Sequence, residues 1–261
     1  MMECIKLQNV SIDFPVYVGG MNSSFKQKLI EIGTAGKIRR SNERIVIVSA
    51  LKNIDLTINQ GERVGFIGRN GAGKTTLLKT ISGFCEPVEG QVSVTGKCTP
   101  LFNISAGLDV ERTGYENIRF MGTLLGLRPY EIDELIPDIE EFTELGDYLN
   151  LPVRTYSAGM QVRLGFAVIT GVQTDILLLD EAIGVGDAHF VQKANQRAQG
   201  YYNKSGTLVV TSHSNDIIRE LCERVIVLKD GRIVMDADTE TAIKFYEEMG
   251  KPQIQTKEAF S

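Results

Sequence analysis

The stretch ERVGFIGRNGAGKTTLLKTISG (62–83) decides the fold. Its opening, residues 62–68, is short and apolar, which predicts a strand running directly into a glycine loop. Its close, residues 74–83, carries apolar residues at helical spacing and stops at Gly83 with Pro87 shortly after, which predicts a helix. Between them GRNGAGKT (68–75) fits G-x-x-x-x-G-K-[ST], and the flanking strand and helix are the context that gives the pattern meaning. Gly68, Gly71 and Gly73 let the backbone approach a phosphate closely, and Arg69, Asn70, Ala72 and Thr76 complete the cradle. Lys74 brings a point charge to the β- and γ-phosphates, and the Thr75 hydroxyl is suited to ligate Mg²⁺.

Moving outward, DILLLD (175–180) is a continuous apolar run ending in aspartate, the pattern of a parallel strand buried on both faces. TLVVTSH (207–213) and RVIVLKDGRIV (224–234) repeat that texture. Strands alternating with helices predict an α/β fold with a parallel sheet covered on both sides. A strand end places Asp180 at the ligand-binding edge of such a sheet, ready to hold Mg²⁺. Glu181 beside it is suited to take a proton from, or orient, an attacking water. His213, past the end of the next strand, is a candidate contact for the γ-phosphate. Upstream, CIKLQNVSI (4–12), residues 45–58 and GQVSVTG (90–96) read as further strands.

Residues 109–150 change texture to acidic segments with helical spacing, so a helical sub-lobe is expected over about 103–168. The segment 15–44 is locally basic through Lys26, Lys28, Lys37, Arg39, Arg40 and Arg44, with Phe25, Leu29 and Ile32 at helical spacing. It reads either as a solvated surface loop with a helical turn or two, or as a basic amphipathic patch facing a membrane.

Composition bounds the rest. The 261 residues are 43% hydrophobic and 23% charged with net charge −5, ordinary for a globular chain and unfavourable for a general nucleic-acid binder. Four scattered cysteines and two histidines disfavour a zinc site or a disulfide framework. The N-terminus lacks signal-peptide character, and no window of 18 apolar residues is present, so no spanning segment is expected.

One more feature is TYSAGMQVR (155–163), a serine and glycine at the start of a second helical run, where unpaired N–H groups favour an anion. In this order the pieces, from NVSIDF (9–14) to VLKDGRIV (227–234), resemble the nucleotide-binding domain of ABC transporters. The resemblance implies a P-loop NTPase of the ABC ATPase fold. It has a RecA-like parallel core, an antiparallel β part and the helical sub-lobe, over residues 1–250, followed by a short tail at 251–261. It implies ATP and Mg²⁺ as cofactors, and a head-to-tail dimer in which each signature segment grips the partner's ATP. YSAGM (156–160) is then the signature sequence, usually LSGGQ, with Ser157 and Gly159 kept and Tyr156, Ala158 and Met160 departing. The resemblance further places Phe14 (with Tyr17 as competitor) at the adenine, and Asp187 at the dimer interface. Asn103 stands where a glutamine or glutamate usually helps hold Mg²⁺.

The spellings LFNISAGLDVERTGYENI (101–118), TYSAGMQVRLGFAV (155–168) and LLDEAIGVGDAHF (178–190) are similar to exporters of bacterial surface polysaccharides: O-antigens, capsules and teichoic acids. That implies separate integral-membrane permease subunits, a lipid-linked polysaccharide as cargo, and a peripheral place on the cytoplasmic face of the inner membrane. With residue 261 as the last, no carbohydrate-binding domain is expected. Alternatives are the ATPase of another ABC exporter, or a soluble ABC ATPase outside transport. A GTPase or kinase is a more distant rival, since NKSG (203–206) lacks the final aspartate of a guanine-reading NKxD.

Overall fold

The computed structural model describes residues 2–17, 38–42, 45–102, 107–180, 188–204, 206–212 and 214–250. A six-stranded sheet runs through the molecule in the order β10-β9-β4-β8-β7-β6. Its strands are β4 (Arg63–Ile67), β6 (Cys98–Leu101), β7 (Ile176–Asp180), β8 (Thr207–Thr211), β9 (Arg224–Lys229) and β10 (Arg232–Asp238). All neighbours pair in parallel except β9 and β10, which form an antiparallel hairpin. The stretch 224–234, expected to repeat the buried parallel texture, therefore splits in two. Asp230 and Gly231 both adopt positive φ (52° and 78°), the backbone a two-residue hairpin turn demands, and β10 is only half-buried.

Both faces of this sheet are covered, which is why its strands are apolar without alternation. Ile176 and Leu178 of β7 point into one core with Val64, Phe66, Val209, Ile226 and Leu228, while Leu177 and Leu179 join the opposite core. Helix α1 (Lys74–Ile81) and a four-stranded antiparallel sheet, β2-β3-β1-β5, close the first face. That second sheet comprises β1 (Glu3–Tyr17), β2 (Ile38–Asn42), β3 (Ile45–Asn59) and β5 (Glu89–Val94). Asn9 and Asn53, at φ 51° and 49°, bulge the β1–β3 ladder and are joined by an Asn53 Nδ2 to Asn9 Oδ1 bond of 2.7 Å. The bulge keeps Ile5, Leu7, Val10 and Ile12 on one buried face across a break in the two-residue period.

The opposite face carries the helical lobe: α2 (Gly114–Leu124), α3 (Pro129–Thr143) and α4 (Ala158–Gly171), with α5 (Ala188–Lys204), α6 (Asn215–Leu221) and α7 (Thr239–Gly250). Thr113 and Glu116 form a reciprocal capping box that starts α2. The fully buried Asn117 amide donates to the carbonyls of Asp109, Arg112 and Thr113, tying the preceding loop to the helix.

The basic segment differs at its ends from the loop expected of it. Residues 15–17 finish β1, and Ile38–Asn42 form β2, paired antiparallel with β3 through Ile38↔Val48, Arg39↔Ile47 and Arg40↔Val46. The run Ile45–Val48 is β-branched, so its free edge templates another strand. The expected helical turn around Phe25, Leu29 and Ile32 lies outside the described residues, as do 43–44 and the tail 251–261. The four cysteines are free thiols, and burial pushes Cys98 up to about 11 and Cys222 to about 12, so both stay protonated and unreactive. Among the described residues no helix is long and apolar enough to cross a membrane.

Candidate functional site

Strands β4, β8 and β7 lie side by side and end at the same edge, and there the chain opens a cleft of about 430 Å³. The exit of β4 forms its floor. At Gly68 (φ 155°) a Cβ would stand 2.4 Å from the Leu228 carbonyl oxygen, so only glycine allows the loop to leave the sheet so tightly. The loop then closes through Ala72 N–H to the Arg69 carbonyl (2.9 Å) and Gly231 N–H to the Ala72 carbonyl (2.9 Å). Gly73 caps α1 in the left-handed region (φ 113°), where a Cβ would press on Leu51 at 2.9 Å. No side chain caps that helix, so the orphan N–H groups of its first turn are left for a ligand.

Lys74 is 92% buried by area, unusual for a lysine, and is held by the loop itself. Its ammonium donates to the Gly68 carbonyl at 2.7 Å and to the Arg69 carbonyl at 3.5 Å. The charge is thereby fixed over the N-terminus of α1, where positive ends of peptide dipoles already favour an anion. Thr75 is exposed on the first turn. Asp180, the last residue of β7, faces it across the cleft and accepts a 2.5 Å hydrogen bond from the Thr211 hydroxyl, its register partner on β8. Phe14, Val48, Ser49 and Ala50 from the antiparallel sheet make the remaining wall, with Phe14 42% exposed and its ring open to stacking.

The structure thus brings together Phe14, Asn70, Gly71, Ala72, Gly73, Lys74, Thr75, Thr76 and Asp180 in one cleft. Gly68 contributes the carbonyl that holds Lys74, whereas Arg69 lines a smaller hollow with Lys229 and Met249. Glu181, His213, Asn103 and Asp187 lie outside the described residues, and so does the side chain of Tyr17. Thr211, Ser212, Val48 and Ser49 escaped the sequence reading. Thr211 had a signal, because parallel pairing of two equal apolar runs puts it level with Asp180.

Ser157, Ala158 and Gly159 are not in that cleft. They begin α4, where the Ser157 hydroxyl accepts from Met160 N–H at 3.3 Å, and Ser157 and Ala158 are exposed. A Cβ on Gly159 would stand 3.9 Å from the Ser157 hydroxyl, an ordinary contact distance. Tyr156 is buried and donates to the Tyr148 carbonyl at 2.7 Å. Gly114 makes room for its phenol, since a Cβ there would meet the oxygen at 2.5 Å. Burial pushes the Tyr156 phenol up to about 12, so it remains a donor.

Residues 51–184 match the family model described as ABC transporter, a span from β3 through the phosphate loop and the signature segment to just past Asp180. The chain belongs to the ABC transporter family. Membership implies nucleotide binding, and the cleft is the candidate site for it. Among ABC relatives it is 43% identical over 89% of its length to the O-antigen export system ATP-binding protein RfbE of Yersinia enterocolitica, covering 97% of that protein. It is 33% identical over 95% of its length to an RfbB protein of the same description from Klebsiella pneumoniae, covering 99% of it. The teichoic acids export ATP-binding protein TagH of Listeria innocua is 35% identical over 95% of this ABC chain, which spans 70% of TagH. The fold is shared with a dimeric ATP-binding cassette in a post-hydrolysis state bound to ADP and Pi, at TM-score 0.65 and 23% identity over 90% of this chain and 98% of that one.

The donor set fits Mg²⁺. The exposed Thr75 hydroxyl and the Asp180 carboxylate are both hard oxygen ligands lining one cleft, few enough to leave the metal its waters and phosphate oxygens. When bound, the ion neutralises charge on the transferring phosphate. The Thr211 bond would hold the Asp180 carboxylate in a fixed orientation for such an ion.

Proposed function

We propose that this chain is the ATP-hydrolysing subunit that powers export of a lipid-linked surface polysaccharide, O-antigen in the first instance, through separate permease subunits. The observation that carries the cargo is the 43% identity to RfbE spread over 97% of that protein, so the likeness extends beyond the phosphate loop common to all such ATPases. In this reading Asp180 and Thr75 hold Mg²⁺, Lys74 binds the β- and γ-phosphates, Glu181 handles the attacking water and His213 contacts the γ-phosphate. Asn103 assists at the metal, Phe14 stacks on adenine and Asp187 lines the dimer interface. The protein works at the cytoplasmic face of the inner membrane.

Two copies face head to tail, and the exposed Ser157 of each, with Gly159 beside it, closes on the ATP in the partner's cleft. The separation of the two helix N-termini within one chain supports this arrangement. Three charge-assisted hydrogen bonds at about 1.5–3 kcal/mol each, made at two sites, give roughly 9–18 kcal/mol gross. That matches an association cost of about 4–15 kcal/mol, so closure depends on the γ-phosphate and hydrolysis releases it.

Two measurements test the reading. A Glu181→Gln chain should dimerise on size exclusion with ATP and not with ADP; dimers that ignore the nucleotide refute the ATP sandwich. Deleting the gene should strip O-antigen from the cell surface and leave lipid-linked polymer inside, with rescue by the native chain and none by Lys74→Ala. Unchanged surface polymer in the deletion strain refutes the cargo.

A further inference from the structure

The phosphate loop is held by a turn that takes no part in lining the cleft. Strands β9 and β10 meet at Asp230 and Gly231, and Gly231 is buried. Its N–H and its carbonyl have different partners. The N–H donates to the Ala72 carbonyl of the loop at 2.9 Å, and the carbonyl accepts from the Lys52 N–H of β3 at 2.8 Å. One residue thus ties the phosphate loop, the β9–β10 hairpin and the antiparallel sheet together through backbone alone. This junction has no slack. A Cβ on Gly231 would stand 2.6 Å from the Ala50 carbonyl oxygen and 3.1 Å from its carbon, on a backbone already left-handed at φ 78°. From the loop side, a Cβ on Gly73 would come within 3.0 Å of the same Ala50 oxygen and 3.7 Å of Gly231 Cα. A side chain at 231 must therefore push the turn off β3, off the loop, or off both.

The bond to Ala72 sets the aim of the loop. The Ala72 carbonyl and the Gly73 N–H belong to one planar trans peptide and point in opposite directions. Holding the carbonyl back on Gly231 turns the Gly73 N–H the other way, at a point where Ala72 and Gly73 both line the cleft. The Ala72 N–H is spent on the Arg69 carbonyl at 2.9 Å, so Ala72 is anchored at both of its peptide groups. We propose that Gly231 is a positioning residue: through the Ala72 carbonyl it presents the Gly73 N–H to the β-phosphate of the bound nucleotide. A donor aimed in advance needs no reorganisation when the phosphate arrives. The inference rests on the cleft being the nucleotide site.

The test compares Gly231→Ala with a chain carrying one extra glycine between Asp230 and Gly231, both full length and with Mg²⁺. The first adds the clashing Cβ. The second adds slack and no side chain, and it decides the matter should the first not fold. Titration calorimetry reads the affinity for ATP, ADP and AMP. Each variant should bind ATP and ADP about tenfold more weakly than the parent and AMP within about twofold of it, because AMP has no β-phosphate for the Gly73 N–H to meet. A general loosening of the fold would weaken all three nucleotides alike. Equal losses for the three, or parental affinity for ATP and ADP, overturn the proposal even where the melting temperature falls. Lys74→Ala is measured beside them. Parental ATP affinity in Lys74→Ala means that the cleft is not the nucleotide site, and that reading falls together with the proposal. Lost affinity in Lys74→Ala with parental affinity in the turn variants refutes the brace alone.

Discussion

The two helix N-termini that the proposed function assigns to phosphate are finished differently. The start of α1 is enclosed: a left-handed glycine replaces the side-chain cap, a buried lysine is pinned by loop carbonyls, and Asp180 stands opposite. The start of α4 is open: a serine caps its own helix with a 3.3 Å bond, and Ser157 and Ala158 face solvent. The first site is complete within one chain as far as phosphate binding goes. The second has donors and no wall, and in the proposed ATP sandwich the partner copy brings the phosphate to it. Enclosure gives affinity in the monomer, and openness gives a contact that can be made and broken.

Breaking the enclosed side should cost most. Lys74→Ala removes the charge that the loop carbonyls fix in place, and ATPase activity should fall about a thousandfold, measured as phosphate release. Ser157→Ala should spare ATP binding by the monomer yet reduce turnover about tenfold to a hundredfold, because in the proposed ATP sandwich it removes a charge-assisted bond at both composite sites. Equal loss of monomer ATP affinity would erase the distinction between the two termini. Thr211→Val frees the Asp180 carboxylate from its 2.5 Å partner and should raise the Mg²⁺ concentration for half-maximal activity about tenfold.

The smallest effect sharpens the comparison at the open side. Tyr156→Phe deletes the bond to the Tyr148 carbonyl and should cost about 1 kcal/mol in urea unfolding. The folded phenol is pushed up to about 12 from an ordinary 10, so the folded state holds that proton more tightly. Its contribution is complete below pH 10 and is lost as pH rises through about 12. The variant should therefore show a shallower fall in stability across that window than the native chain.

Much of this was legible before any coordinates. The strand, loop and helix at 62–83, the buried strand ending at Asp180 and the helical lobe all appear where the patterns put them, because period and turn chemistry are local. Other features were not legible. Residues 98–101 form a strand with no strong signature, and 38–42 pair onto β3 although their charges suggested a solvated loop. In both cases an edge offered by a distant strand decides the local conformation, and propensity yields to it. Tyr156 looked like a mere departure from the family spelling until its phenol was found in the space left by Gly114.

The sequence by itself determined which residues can hold a phosphate, since glycine, lysine and threonine at that spacing dictate the backbone path of their own loop. Tertiary structure alone decided how those residues are shared out. It set Asp180 level with Thr211, turned Phe14 into the same cleft, and left Ser157 facing outward. It also stacked Arg163 and Arg197 on rings that are remote in sequence. The physical reason is range: loop conformation follows from steric rules acting over a few residues, whereas strand register and the burial of an aromatic cluster follow from contacts across the whole chain.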